Sequence, residues 1–136
     1  MVPSSYAWSD DAGKLIARAS LGVILAFHGV YKITHGVAWI GPRLTQVGLP
    51  APLASGTYVA EVLAPVLLIL GYQVRLAALA VAVDMVMAIV LVLRPQVLSL
   101  SAAGGGGWSI EFQALLLLVA LAVSCLGAGR YSVEPR

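Results

Sequence analysis

LIARASLGVILAFHGVYKI, residues 15–33, is a nineteen-residue run dominated by apolar side chains, about what a helix needs to cross the hydrocarbon core of a bilayer. It nevertheless carries Arg18 near its start and His28 and Lys32 near its end. The last two are four apart, so on a helix they share one face, a single turn from each other. An imidazole or ammonium at membrane depth is costly unless it faces the protein interior and finds a partner. The three later apolar segments each bring one acid: Glu61, Asp84 and Glu111.

Composition agrees with a membrane reading. Of 136 residues, 60% are hydrophobic and only 10% charged, whereas a soluble domain is nearer half apolar and a quarter charged. The length permits one domain, residues 1–136. A formal charge of +2, scattered along the chain, gives no basis for nucleic-acid binding. Cys125 is the single cysteine, which excludes an internal disulfide, a CxxC redox pair and a cysteine-built metal site. Cys125 itself suits packing. Residues 1–13 are polar and partly acidic, without the features of a cleavable signal, so the first apolar segment is expected to remain as an anchor.

Four apolar segments follow in order, at about 14–33, 53–71, 75–93 and 110–128, each near spanning length. Nothing in them alternates as a strand would, and in lipid every backbone group must be satisfied internally, so all four are expected to be helices. The fold predicted is an all-α integral membrane protein, an antiparallel four-helix transmembrane bundle. Residues 1–13 read as a tail in which Tyr6 and Trp8 sit at headgroup level, with Ser9 or Asp10 capping the first helix. GYQVR at 71–75 reads as a tight hairpin. The 34–52 loop, with Trp39 as an interface anchor, and the 94–109 loop, with four glycines before Trp108, are the long connections. Gly127 and Gly129 stop the last helix.

Basic residues set the orientation. Lys14, Arg18, Arg75, Arg130 and Arg136 fall on the side of the termini, and Lys32, Arg43 and Arg94 on the other. Five against three puts both termini in the cytoplasm of a prokaryotic cell, with the chain in its inner membrane. Arg18, near the inner edge, is expected to snorkel to the headgroups.

Depth can be counted from the hairpin. Glu61 is twelve residues before Gln73 and Asp84 eleven after it, so both sit roughly 17 Å above the turn on adjacent helices. His28, Lys32 and Glu111 belong higher in the same half. Tyr58 and Thr57 precede Glu61 by one turn and point into the same space. His28, Lys32, Tyr58, Glu61, Asp84 and Glu111 are therefore the candidate pocket residues, with Lys32 expected to pair with Glu111 and Glu61 to face Asp84. Such a cluster either forms a neutral hydrogen-bonded network that glues helices together or binds ligands and exchanges protons. Haem ligation is not expected, because His28 and His35 share one segment and no third histidine exists to face either. Gly22 and Gly29, with Ala19 and Ala26, make a small-residue face for close helix contact. Pro65 should bend the second helix.

These residues bring out a resemblance. LGVILAFHGVYKI, GLPAP, EVLAPVLLILGYQVRLAAL, GGGGWSIEFQALLLLVAL and GAGRYSVE, taken in that order from about Leu15 to Glu134, resemble the DoxX family of small membrane proteins. The family's FHGxxK corresponds to Phe27, His28, Gly29 and Lys32, its helix-two acid to Glu61 and its helix-four acid to Glu111. Asp84 departs from the pattern. The resemblance implies a membrane subunit of a quinone-linked or redox-stress oxidoreductase system, with a quinone as the cofactor. The sequence has no haem pair, iron–sulfur cysteines or dinucleotide fingerprint, so a redox partner protein would supply electrons. The alternatives are a non-catalytic membrane scaffold and a small proton-coupled transporter, which four helices would support only as a homo-oligomer.

Overall fold

The computed structural model describes residues 4–102 and 105–134. Helix α1 runs Ser4–His35. After a 3-10 turn, Ala38–Ile40, the short α2 spans Gly41–Gln46. Helix α3 covers Ala51–Leu70 and α4 covers Val74–Leu91. A second 3-10 turn, Arg94–Gln96, leads to a two-stranded antiparallel ribbon, β1 Leu100–Ser101 with β2 Gly107–Trp108. Helix α5, Glu111–Leu126, is last.

The first helix is longer than its apolar run. Ser9 and Asp10 lie inside α1 rather than capping it, and an Asp10–Lys14 ion pair at 2.7 Å spans one turn of the extension. Beyond α1, Asp11 accepts the Arg130 N–H at 3.0 Å. Ser9 and Asp10 look like a helix cap in the sequence. Here Asp10 and Asp11 serve a local and a tertiary partner instead.

Helix α3 is irregular. It opens as a 3-10 segment at Ala51–Ser55, makes a π turn at Val59–Leu63 and resumes α geometry at Ala64–Leu70. Pro65 explains the change of register: it has no N–H to give the Glu61 carbonyl four residues back, and its ring crowds that group. Gly71, at φ +76°, and Gln73, at φ +46°, then turn the chain into α4. These left-handed residues make the hairpin tight.

Packing closes a ring in which α1 touches α3, α3 touches α4, α4 touches α5 and α5 touches α1. Contacts between residue 18 and residues 68–69, 22 and 65, and 32 and 61 run α1 antiparallel to α3. The core is built from Leu21, Leu25, Leu68, Val81, Leu116 and Val123, with alanines between them. Small residues let the helices approach, as lipid-embedded helices require. Large apolar side chains meanwhile face outward, Phe27 at 75%, Val83 at 64% and Leu118 at 63% exposed, a surface that suits lipid tails and not water.

Helices α1, α3 and α4 are long and apolar enough to cross a membrane. Helix α5 is apolar but has 16 residues, fewer than the roughly 20 of a full span. The loop between α4 and α5 holds the β ribbon, which the sequence did not announce. Gly105 and Gly106, at φ +71° and +93°, lie in its turn. Ala103 and Gly104 lie outside the described residues.

Candidate functional site

Lys32, one turn beyond His28 on α1, places its ammonium against the Glu61 carboxylate of α3. The Nζ atom lies 2.9 Å from Oε2 and 3.1 Å from Oε1, and the two side chains are 12% and 6% exposed. A charge-assisted, two-oxygen contact of this kind satisfies an ammonium that apolar surroundings would otherwise expel. Asp84, half-buried on α4, faces Glu61 and Lys32. The Tyr58 hydroxyl donates to the Lys32 carbonyl at 3.4 Å. From the 36–50 connection Trp39 comes over the ammonium, its ring centroid 5.8 Å away, and Arg43 lies 5.4 Å from the same ring.

The close approach of α1 and α3 depends on Gly29. A Cβ added there would run into the Glu61 carbonyl oxygen, and one added at Gly22 would come within 2.9 Å of the Pro65 carbonyl oxygen. Gly29 thus admits the backbone distorted by the π turn, and the same residue's side chain, Glu61, reaches Lys32 one turn further along α1.

Two cavities flank this row of charges. One, about 260 Å³, is lined by His28, Lys32 and Glu61 together with Tyr31, Trp39 and Gln113, and is floored by apolar side chains including Met85 and Leu116. The other, about 270 Å³, lies beneath the 38–54 connection and contains Asp84 and Thr57 among apolar neighbours. His28 stacks on Phe112 of α5 at 5.7 Å between centroids. Among the described residues no group of three or more His, Cys, Asp and Glu side chains gathers that would hold a metal.

Helix α5 does not supply the partner for Lys32 that its height suggests. Glu111 is exposed at the start of α5, its carboxylate oxygens beside Gly107 of β2. That position suits an acid on its own, since helix N-terminal N–H groups and solvent both stabilise the charge. Lys32 pairs with Glu61 instead. Glu111 and Tyr58 line neither cavity.

At the opposite end Arg18 is not at the surface. It is 1% exposed, and its guanidinium donates to the carbonyls of Leu68 (2.6 Å), Ile69 (2.8 Å), Ala128 (3.1 Å) and Tyr131. The ends of α3 and α5 leave carbonyls unpaired, and a five-donor fork satisfies several at once. The segment after α5 is fastened there as well, Val133 and Glu134 donating their N–H groups to Leu70 and Gly71. Arg18, Trp39, Tyr31 and Gln113 were not among the residues expected to build a site. Arg18, a charge inside an apolar run, Trp39, an aromatic in a membrane-edge loop, and Gln113, an amide inside an apolar helix, each carried a sequence signal, but none that named its partner.

A family model described as DoxX matches residues 13–94. The chain belongs to the DoxX family. The match spans α1, the first connection, α3 and α4, so Lys32, Glu61 and Asp84 fall within it, while Glu111 and α5 fall beyond it. No curated protein and no solved structure matches this DoxX-family chain. With the family and three spanning-length helices together, the DoxX-family protein is a mostly helical membrane protein.

Proposed function

We propose that this DoxX-family chain is the membrane subunit of a quinone-linked or redox-stress oxidoreductase system, holding a quinone headgroup in the cavity beside Lys32. In this reading α5, extended by its flanking residues, completes a four-helix transmembrane bundle. Both termini face the cytoplasm of a prokaryotic cell, as the distribution of basic residues favours.

One observation carries the proposal. The Lys32–Glu61 pair borders a cavity of about 260 Å³ whose other walls are mostly apolar or aromatic. Ligand sites have this make-up, a large apolar surface with a few polar groups that fix orientation. A quinone ring is flat and apolar with an oxygen at each end. The Lys32 ammonium, the Gln113 amide and the His28 ring are donors suited to those oxygens. Reduction to the quinol takes up two protons and two electrons. Electrons would come from a redox partner protein, and the acids would handle protons.

The test is binding. Trp39 lines the cavity, so a short-chain quinone should quench its fluorescence in the purified protein. The double substitution Lys32→Met with Gln113→Leu should weaken that binding about tenfold or more, as expected for loss of hydrogen bonds worth about 1.4 kcal/mol in total. Organic extraction of the purified protein should recover quinone. If neither quenching nor extracted quinone is seen, the scaffold reading replaces this one. The scaffold reading has an observation of its own, since Lys32 and Glu61 already satisfy each other. A transporter would need a polar path through the terminal half, where Arg18 is the buried charge among the described residues and is fully engaged by carbonyls.

A further inference from the structure

Asp84 stands at a boundary between two cavities. The cavity beneath the 38–54 connection contains Asp84 and no other ionisable side chain. The cavity beside His28 contains Lys32 and Glu61 but not Asp84. A narrower space of about 70 Å³ is lined by all three charged residues and shares walls with both cavities. Lys32, Glu61 and Asp84 thus form a row with one cavity at each end.

The charges facing Asp84 are Glu61 from α3 and Lys32 from α1; α4 supplies no other charge in these cavities, and residues 40–54 contribute apolar side chains with Thr57 beyond them. Two acids therefore share one ammonium. In apolar surroundings such a trio is neutral only when it holds one proton more than the ammonium carries. The second cavity, at about 270 Å³, has room for a water held by Asp84 and Thr57, its two polar side chains. An apolar ligand in the first cavity would expel water from its own side.

We propose that Asp84 is the proton port of the site: it takes protons from water in the cavity beneath the 38–54 connection and passes them to Glu61, so that protons and ligand reach the cluster from opposite sides. Each transfer moves one proton from a water-borne acid to the Asp84 carboxylate, then from the Asp84 hydroxyl to the Glu61 carboxylate. No electrons move, and Asp84 is left ready for the next proton. The destination of the proton rests on the quinone reading. The port itself does not.

Dicyclohexylcarbodiimide, an apolar reagent that adds to protonated carboxyl groups, tests the port in ligand-free protein. Peptide mass spectrometry should find the adduct on Asp84 and not on Glu61. Gly56 lines the second cavity, and a Cβ there meets nothing within 4 Å, so Gly56→Phe should fill the space and slow labelling several-fold. Val83→Trp, on an exposed wall of the same cavity, replaces it if that variant does not fold. Gln113→Leu, in the other cavity, should leave labelling unchanged. Adduct on Glu61 instead, or labelling indifferent to the filling variants, overturns the port. Quinone quenching measured on the same samples separates the two readings. Quenching without Asp84 labelling removes the port alone, and Asp84 labelling without quenching keeps the port and removes the quinone.

Discussion

Helix α1 buries two cations, Arg18 and Lys32, fourteen residues or about 21 Å apart along its axis, and the two ends of the molecule satisfy them differently. At the terminal end, four backbone carbonyls, two from the end of α3 and two from the segment after α5, surround the Arg18 guanidinium. At the loop end, Lys32 meets the carboxylate of Glu61, with Asp84 beyond and a cavity on either side. Carbonyls cannot take a proton in exchange for their cation, so Arg18 is a permanent fastening. Carboxylates can, and an ammonium on a flexible stem can let go of them. Chemistry has room to occur at the end whose cation is balanced by titratable groups and whose packing leaves space.

Removing the fastening should have the largest effect. Arg18→Met leaves several carbonyls at the ends of α3 and α5 without a donor, at about 1–3 kcal/mol for each one that stays dry. A net loss of about 3–5 kcal/mol is expected after relaxation, read as early aggregation on heating in detergent. Arg18→Lys should recover only part of it. Parental stability in Arg18→Met would erase the contrast between the two ends.

The loop end is expected to be most sensitive where the helices touch. Gly29→Ala forces a methyl against the Glu61 carbonyl and should cost about 1–3 kcal/mol, the usual range for overpacking. Quinone quenching should weaken with it, because Lys32 and Glu61 are pushed apart. Unaltered stability in the Gly29→Ala variant would mean that α1 and α3 pack less closely than described.

Coupling sharpens the comparison further. In thermal melts, Lys32→Met and Glu61→Gln should be non-additive by about 0.5–3 kcal/mol, as for residues in contact. Lys32→Met and Arg18→Lys should add to within about 0.5 kcal/mol. Strong coupling across the 21 Å (about fourteen helical rises) would show that the two ends are one unit. The smallest effect belongs to Glu111→Gln, an exposed change expected to stay within about 0.5 kcal/mol of the parent. A larger loss would restore Glu111 as the partner of Lys32.

Much of this arrangement could be read before folding. The apolar run at 15–33, the hairpin at 71–75 and the two long connections follow from hydrophobic length and turn residues. Counting from the hairpin put Glu61 and Asp84 at one height on neighbouring helices, because rise per residue is nearly constant. Rotation about the helix axis is another matter. A π turn adds a residue without lengthening the helix in proportion, and so turns the side chains beyond it by about a quarter of a revolution. Which acid meets Lys32 was therefore hidden, and height alone pointed to Glu111.

Hydropathy, spacing and the FHGxxK pattern by themselves determined that the chain lies in a membrane as helices, with Lys32, Glu61 and Asp84 in the half nearer the long loops. The tertiary structure alone decided that Ser9 and Asp10 lie inside α1, that Arg18 is enclosed and that Lys32 belongs to Glu61. Burial of apolar length is a sum over local residues and can be added along a chain. Partner choice depends on the phase and separation of helices far apart in sequence. Those are set by Gly29, by Pro65 and by the carbonyls at helix ends, none of which carries a charge to announce it.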